Sequence, residues 1–143
     1  MAGIRIRTVN HVGVPIKDRR VSLKFYRDIL GLQVIPSMVD SKNIVWMKTE
    51  DGTMVHLIEA VEGKPPHIPT PGAAHVAYEV TDFDAALQAL ADAGLETDGL
   101  GARHDGQRHV FVKDPDGNRV ELVCYSVRRS TRVVDEQGYT REP

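Results

Sequence analysis

The chain has 143 residues, of which 41% are hydrophobic and 27% are charged, and its net charge is −2. This composition is typical of one compact globular domain, and the slightly acidic balance argues against nucleic acid as a partner, because phosphate binding normally needs a basic excess. No apolar run approaches the roughly 20 residues of a membrane helix, and the first residues lack a signal peptide's apolar core, so we expect a cytoplasmic protein with no membrane partner.

The first half of the chain has the pattern of a strand, a helix and three further strands. Asp18 is a helix-capping residue and Gly31 a helix-ending residue, so we expect one helix between them, over residues 19–30. Val and Ile recur in the flanking segments, which is typical of strands. The predicted strands of this half cover residues 8–16, 32–38, 43–49 and 53–60.

The predicted helix carries an apolar stripe, because Val21, Phe25 and Ile29 follow one another at intervals of four residues. Such a stripe predicts the face that packs into the core. Between the last two strands of this half, Asp51 and Gly52 are the residue types of a hairpin turn.

The second half repeats this order after a linker rich in Pro and Gly, residues 61–72. Thr81 and Asp84 suggest a capping box for a helix that runs through Ala93. The helix has its own apolar stripe, formed by Phe83, Leu87 and Leu90. The predicted strands of this half cover residues 73–80, 95–97, 108–113 and a run from about 118, with a Gly-rich loop at 99–107. Residues 126–143 show no sustained period and predict a solvated tail.

Two segments of the chain align with each other and reveal a long internal repeat. DGTMVHLI at 51–58 matches DGNRVELV at 116–123, so that His56 falls where Glu121 falls, at an offset of 121 − 56 = 65. His-Val pairs open a second match, from His11 and from His75, at an offset of 75 − 11 = 64. A repeat of this length predicts two copies of one structural module.

The four repeat-related positions all carry residue types that bind divalent metals: His11, His56, His75 and Glu121. One histidine on a strand is more often a hydrogen-bonded structural residue, but four such residues at symmetric positions predict a metal site. Glu59 lies three residues from His56 and therefore points to the other face of its strand. We expect His56, and not Glu59, to be the ligand.

Glu121 is the only carboxylate among the four candidate ligands. It is therefore the candidate catalytic residue, which would move a proton during the reaction. With three neutral imidazoles, a site that holds M²⁺ has a net charge of +2 − 1 = +1, which favours anionic ligands. Gly13 and Ala77 are small and lie two residues after His11 and His75, which leaves room beside an ion for a substrate.

The chain resembles the vicinal oxygen chelate superfamily, which includes glyoxalase I, fosfomycin-resistance enzymes, extradiol dioxygenases, methylmalonyl-CoA epimerase and bleomycin-resistance proteins. Three segments over about residues 8–125 carry the resemblance: His11-Val12 leading into FYRDILGL, His75 leading into the second helix, and DPDGNRVEL. It implies an α+β fold in which two βαβββ modules, residues 8–60 and 73–125, form a cupped mixed sheet within one domain, residues 1–125. It also implies a homodimer.

The resemblance supports the same four ligands for one divalent ion per site, whether Zn, Ni, Co, Mn or Fe. The leading interpretation is a lyase or isomerase of glyoxalase type, acting on a small molecule that chelates the metal through neighbouring oxygens. Three alternatives stay open: an Fe- or Mn-dependent ring-cleaving dioxygenase, a fosfomycin-type thiol transferase, and a non-catalytic protein that binds a drug or metabolite. The candidates for substrate contact are Phe111, Trp46, Arg103 and His104.

Two positions depart from the better-known members of this superfamily. His56 stands where glyoxalase I typically has a carboxylate. Phe111 stands where the fosfomycin enzymes and the extradiol dioxygenases tend to have a tyrosine. The sequence alone therefore does not choose among the reactions of the superfamily.

Overall fold

Each half of the chain folds into a strand, a helix and three more strands, as the internal repeat predicts. The computed structural model describes residues 3–38, 42–61, 74–102, 106–124 and 133–141. The strands of the first half are β1 (His11–Ile16), β2 (Gln33–Ile35), β3 (Ile44–Lys48) and β4 (Met54–Glu59). Those of the second half are β5 (Val76–Glu79), β6 (Thr97–Ala102), β7 (Arg108–Lys113) and β8 (Arg119–Cys124).

The two halves form two four-stranded sheets with the same topology. The first has the strand order β1-β4-β3-β2 and the second the order β5-β8-β7-β6. In each sheet the first and last strands of the module pair in parallel, whereas β6 with β7, and β3 with both β2 and β4, pair antiparallel. The parallel pairing is possible because the helix provides the long crossover connection that parallel strands need.

The chain divides into two compact units that follow this arrangement. The first unit contains Met1–Ala74 and Lys113–Arg119, and the second contains His75–Val112 and Val120–Pro143. One face of the first sheet is buried and forms the core of its unit with Phe25, Tyr26 and Leu32. The strand residues of that face are Val14, Ile16, Val45, Met47, Val55 and Leu57. In the second unit the corresponding residues are Val110, Val112, Val120 and Leu122, together with Phe83 and Leu90 of the helix.

The first helix begins where it was predicted to begin but buries a different face. Asp18 accepts a hydrogen bond from the Arg20 backbone N–H, and α1 (Arg19–Leu23) continues as a π-helical segment (Lys24–Ile29). The prediction that Val21 is buried was wrong, since that side chain is 48% exposed and the buried positions are Ser22, Phe25 and Tyr26. This face is buried because Ser22 and Tyr26 form hydrogen bonds with residues far along the chain. The spacing of apolar residues within the helix does not indicate such partners.

Those partners lie in the turn at 114–118, between β7 and β8, which belongs to the first unit. The Tyr26 hydroxyl donates to Asp114 Oδ2 at 2.6 Å, and Asp114 also accepts from the backbone N–H groups of Asp116 and Asn118 and from the Asn118 side chain. The Ser22 hydroxyl donates to Asp116 at 3.3 Å, and the Lys17 N–H to the same carboxylate at 3.0 Å. Asp114 is only 5% exposed, so this buried carboxylate is stabilised by the donors around it.

In the second half the capping residue differs from the prediction. α2 (Phe83–Asp92) is capped by Asp82, whose side chain accepts from the Ala85 N–H at 3.0 Å, so the predicted box of Thr81 with Asp84 was wrong. Asp82 precedes the first helical residue and carries a better N-cap acceptor than threonine. The predicted apolar stripe was right, because Phe83 and Leu90 are buried and Leu87 is half-buried.

Two segments that were predicted to lack strands contain them. β6 runs from Thr97 to Ala102, into the predicted Gly-rich loop, with a register shift between Asp98 and Gly101. In the predicted tail, β9 (Val133–Val134) pairs antiparallel with β10 (Thr140–Arg141). Most of the predicted linker at 61–72 lies outside the described residues. No helix in the described part of the chain is long and apolar enough to cross a membrane.

The end of β4 is tied to the start of α1 through Glu59. The carboxylate accepts from the Arg19 backbone N–H at 2.9 Å and from the Arg19 Nε at 2.7 Å. Burial by itself would raise the pKa of Glu59, but these hydrogen bonds and the guanidinium charge outweigh it and lower the pKa below its ordinary value of 4.5. Glu59 thus has a structural partner, in agreement with its exclusion as a metal ligand.

We expect the Glu59 pair to make folding sensitive to acid. Because the folded pKa is lower than the unfolded one, the pair stabilises the fold above about pH 4.5, and its contribution is lost as the pH falls through the folded pKa. Urea unfolding of the wild type and of Glu59→Gln between pH 3 and 7 measures this contribution. The two free energies of unfolding should converge toward the acid end, and a constant difference at every pH would contradict the expectation.

Candidate metal centre

The first sheet presents two of the four candidate ligands on the face opposite its buried core. Side chains alternate along a strand, so His11 and Gly13 on β1 share this face, as do Trp46 on β3 and His56 on β4. The register places Gly13 beside His56 on one side and Trp46 beside His56 on the other. The Ile58 side chain lies over Gly13, where a Cβ would be 3.2 Å from it, and the neighbouring rings lie on either side of His56.

Three rings form a stack on this face. The His11 and His56 centroids are 4.2 Å apart with an interplanar angle of 18°. On the other side of His56, the Trp46 ring lies at 4.6 Å and 11°. The His56 imidazole is therefore covered on both of its flat faces, and the residue as a whole is only 8% exposed.

This environment disfavours the protonated form of His56 and leaves one of its nitrogens without a partner among the described residues. Burial, and to a smaller extent the neighbouring His11, lower the pKa of His56 below its ordinary value of 6.5. Its Nε2 atom is buried and has no hydrogen-bond partner among the described residues. A neutral imidazole with an uncommitted nitrogen is the form that binds a metal ion.

His11 is held in a form that also suits coordination. Its Nδ1 atom lies 2.7 Å from Asn10 Oδ1. A side-chain amide oxygen can only accept, so Nδ1 carries the proton and donates it. The Nε2 lone pair of a neutral His11 then remains available, as in metal sites where a neighbouring acceptor selects the ligating nitrogen.

The second sheet presents the other two candidates at equivalent positions. Ala77 pairs with Glu121 as Gly13 pairs with His56, so each last strand carries a candidate ligand beside a small residue. His75 immediately precedes β5, and its Nε2 lies 2.9 Å from Glu121 Oε2, with the two side chains 31% and 15% exposed. These two residues hydrogen bond to each other, so a metal bound through His75 Nε2 must displace the proton shared with Glu121.

Two further rings lie on this face of the second sheet. The Phe111 ring meets His75 at 5.5 Å and 77°, and His109 meets Phe111 at 6.2 Å and 62°. The irregular backbone of β6 passes closely over both: a Cβ on Gly99 would lie 2.8 Å from Phe111, and one on Gly101 would lie 3.2 Å from His109. Gly99 also has a φ of 62°, which other residues rarely adopt.

The structure thus brings the four candidate ligands together as two pairs, one in each unit. His11 packs on His56, and His75 bonds to Glu121. Among the residues that the structure describes, no group of three or more His, Cys, Asp or Glu side chains is arranged to hold a metal ion. Of the candidates for substrate contact, Trp46 and Phe111 each pack on a candidate ligand, whereas Arg103 and His104 lie outside the described residues.

Sequence reasoning missed the contacts of three residues near these pairs. Trp46 was predicted only as a substrate contact, although 46 + 65 = 111 makes it the repeat equivalent of Phe111. His109 was not singled out, although it lies on the predicted strand 108–113 with the parity of Phe111, and its buried Nδ1 has no partner in the described part of the chain. Nothing in the sequence except its position next to His11 indicates that Asn10 forms a hydrogen bond with that ring.

Most of the chain is similar to proteins of one known family. Residues 8–122 match the model of the Glyoxalase/Bleomycin resistance protein/Dioxygenase superfamily. The lactoylglutathione lyase of Haemophilus influenzae is 29% identical over 122 residues, which cover 79% of this chain and 89% of that protein. YaeR of Escherichia coli, a protein of uncharacterised function, is 28% identical over 123 residues, 82% of this chain and 95% of its own.

Solved structures give the same result. A glyoxalase family protein from Bacillus anthracis superposes with a TM-score of 0.74 at 26% identity, and the match covers 87% of this chain and all 100% of that chain. A glyoxalase/dioxygenase from Nostoc punctiforme has a TM-score of 0.72 at 26% identity, with 88% and 99% covered. Both likenesses fit the paired βαβββ modules of an α+β glyoxalase-like fold. The chain belongs to the Glyoxalase/Bleomycin resistance protein/Dioxygenase superfamily.

Proposed function

We propose that this protein is a divalent-metal-dependent enzyme of glyoxalase type, a lyase or isomerase that acts on a small molecule with neighbouring oxygens. We further propose that His11, His56, His75 and Glu121 hold the ion and that the protein works as a homodimer. The family membership and the lactoylglutathione lyase relative support the reaction class. The site residues rest on the geometry of the chain itself.

One observation carries the proposal: both sheets present a candidate ligand pair in the same register. In the first unit His56 lies beside Gly13 and packs on His11, and in the second Glu121 lies beside Ala77 and bonds to His75. Independent structural roles would not place metal-binding types at equivalent points of two modules. The equivalence is expected if both modules carry ligands for a divalent metal.

The donor set fits a divalent ion. The buried Nε2 of His56 has no hydrogen-bond partner among the described residues, and the bond to Asn10 leaves His11 Nε2 with its lone pair. Imidazole and carboxylate ligands suit Zn, Ni, Co, Mn and Fe. When bound, such an ion polarises substrate oxygens as a Lewis acid.

Side chains of the protein would transfer the proton and contact the substrate. Glu121 is the proposed general base and acid, because it is the one carboxylate of the set and is 15% exposed, partly withdrawn from water. His75 donates to its Oε2 at 2.9 Å, a hydrogen bond that holds the two side chains side by side until His75 binds the ion. Trp46 and Phe111 provide flat apolar surface beside the ligand pairs, and Arg103 and His104 are proposed as further substrate contacts.

Metal content tests the proposal directly. The purified protein should contain about one divalent ion per chain, and His56→Ala and Glu121→Ala should each lower that content, because a lost ligand of a closed set typically weakens binding about 10- to 100-fold or more. Elemental analysis after dialysis against a weak chelator measures the effect. Glu96→Gln changes an exposed carboxylate outside the proposed ligand set and should keep the wild-type content.

Absence of metal in the wild type, even after reconstitution with each of the five ions, would contradict the proposal. With metal present, lactoylglutathione formation from methylglyoxal and glutathione tests the lyase reaction. A loaded protein without this activity would keep the metal site but require another substrate.

A ring-cleaving dioxygenase is the second candidate. Two histidines and one carboxylate are the ligand set of non-haem Fe²⁺ oxygenases, and His11, His75 and Glu121 provide that set with His56 left as a base. Oxygen consumption by the Fe²⁺-loaded protein with a catechol would favour this reaction. Saturable binding of a drug-like ligand by metal-free protein would instead favour the binding members of the family.

A further inference from the structure

We propose that Trp46 is a positioning residue that holds the His56 imidazole in the plane from which it binds the metal. This inference rests on the metal site proposed above. It assigns to Trp46 a role exerted through His56, in addition to any contact that the indole makes with a substrate.

The contact is built into the sheet. Trp46 and His56 are directly paired across the antiparallel strands β3 and β4, and the sheet therefore sets the distance between their backbones. Their rings lie 4.6 Å apart and only 11° from parallel. With His11 on the opposite face at 4.2 Å, rotation of the imidazole about its bond to Cβ would push its edges into one ring or the other.

A ring that is covered on both flat faces can bind a partner only through its edge. The nitrogens through which imidazole binds metals lie on that edge. The buried Nε2 of His56 lies on that edge, without a partner among the described residues. Ligands whose orientation is locked by packing bind more tightly than ligands that must be ordered on binding, because the ordering cost is met during folding. Trp46 would thus raise the metal affinity without touching the ion.

The second module offers a comparison within the same chain. Its equivalent aromatic residue, Phe111, meets His75 edge-on at 5.5 Å and 77°. The ligand on its last strand is Glu121, which is oriented by the hydrogen bond from His75. The face-to-face stack accompanies the module that carries a histidine on its last strand. The stack therefore orients the one last-strand ligand whose buried Nε2 has no hydrogen-bonded partner among the described residues.

Metal affinity of stacking and non-stacking variants tests the inference. Trp46→Phe keeps a flat ring over His56 and should bind Zn²⁺ nearly as tightly as the wild type. Trp46→Met fills similar space without a ring and should bind Zn²⁺ about 10- to 100-fold more weakly, the usual effect of removing a residue that orients a ligand. Competition with a chromophoric chelator measures the affinity, and circular dichroism with thermal unfolding checks that each variant is folded.

Two controls separate the possible failures. Phe111→Met, at the repeat-equivalent position, should weaken Zn²⁺ binding less than Trp46→Met, and Trp46→Met should have no additional effect in a His56→Ala background. If His56→Ala weakens binding while Trp46→Phe and Trp46→Met bind alike, the positioning role is wrong and the ligand set stands. If His56→Ala has no effect on affinity, the ligand set and the positioning role both fail. If Trp46→Met does not fold, Trp46→Leu with the same readouts decides the question.

Discussion

Glu121→Gln is expected to lower the turnover of the metal-loaded protein by about 10²- to 10⁴-fold, the range for loss of a general base. Glutamine matches glutamate in shape and keeps an oxygen at the same position, so the site should keep its geometry. Its amide cannot take up a proton, however. Turnover should therefore fall much more than metal content, and the two are measured on the same preparations in the lyase assay and by elemental analysis.

Two further variants are the controls for this result. Glu121→Asp keeps a carboxylate at a shorter reach and should retain more activity than Glu121→Gln, whereas the exposed Glu96→Gln should behave as the wild type. Turnover that falls only in proportion to metal content would mean that Glu121 is a ligand and not the base. Full activity in Glu121→Gln would remove it from the chemistry altogether.

Asp114→Ala is expected to destabilise the protein by about 3 kcal/mol or more, since each buried donor left without an acceptor costs about 1–3 kcal/mol. The substitution removes the acceptor of the buried Tyr26 hydroxyl, at 2.6 Å, and of three donors from Asp116 and Asn118. Tyr26→Phe removes only the hydroxyl and leaves Asp114 with its other donors, so about 1–2 kcal/mol should be lost. Urea unfolding measures both.

The internal repeat provides the control for Asp114. Thr49 is its equivalent, since 49 + 65 = 114, and its hydroxyl bonds within an exposed turn to Asp51. Thr49→Ala should therefore cost less than about 1 kcal/mol. If Asp114→Ala and Thr49→Ala unfold at the same urea concentration, the buried network does not have the stabilising role that its geometry indicates.

Most of the fold was predictable because it depends on patterns within short segments or on the repeat. Caps such as Asp18 act on backbone groups two residues away, and alternation along a strand decides which side chains share a face. The errors arose where a hydrogen-bond partner far along the chain determined which side chains are buried. The helix buries Ser22 and Tyr26 instead of Val21, because Asp116 and Asp114 offer them acceptors 94 and 88 residues along the chain.

The candidate site also has features that follow from spacing along the chain and features that depend on contacts between strands. The repeat alone selected four residue types at equivalent positions, and strand parity alone separated His56 from Glu59, because both arguments need only spacing along the chain. The ring stack of His11, His56 and Trp46 depends on which residues of β3 and β4 lie opposite each other, and that register is set by hydrogen bonds between strands. The sequence by itself thus determined which residues are the candidate ligands, and the tertiary structure decided which side chains lie against them.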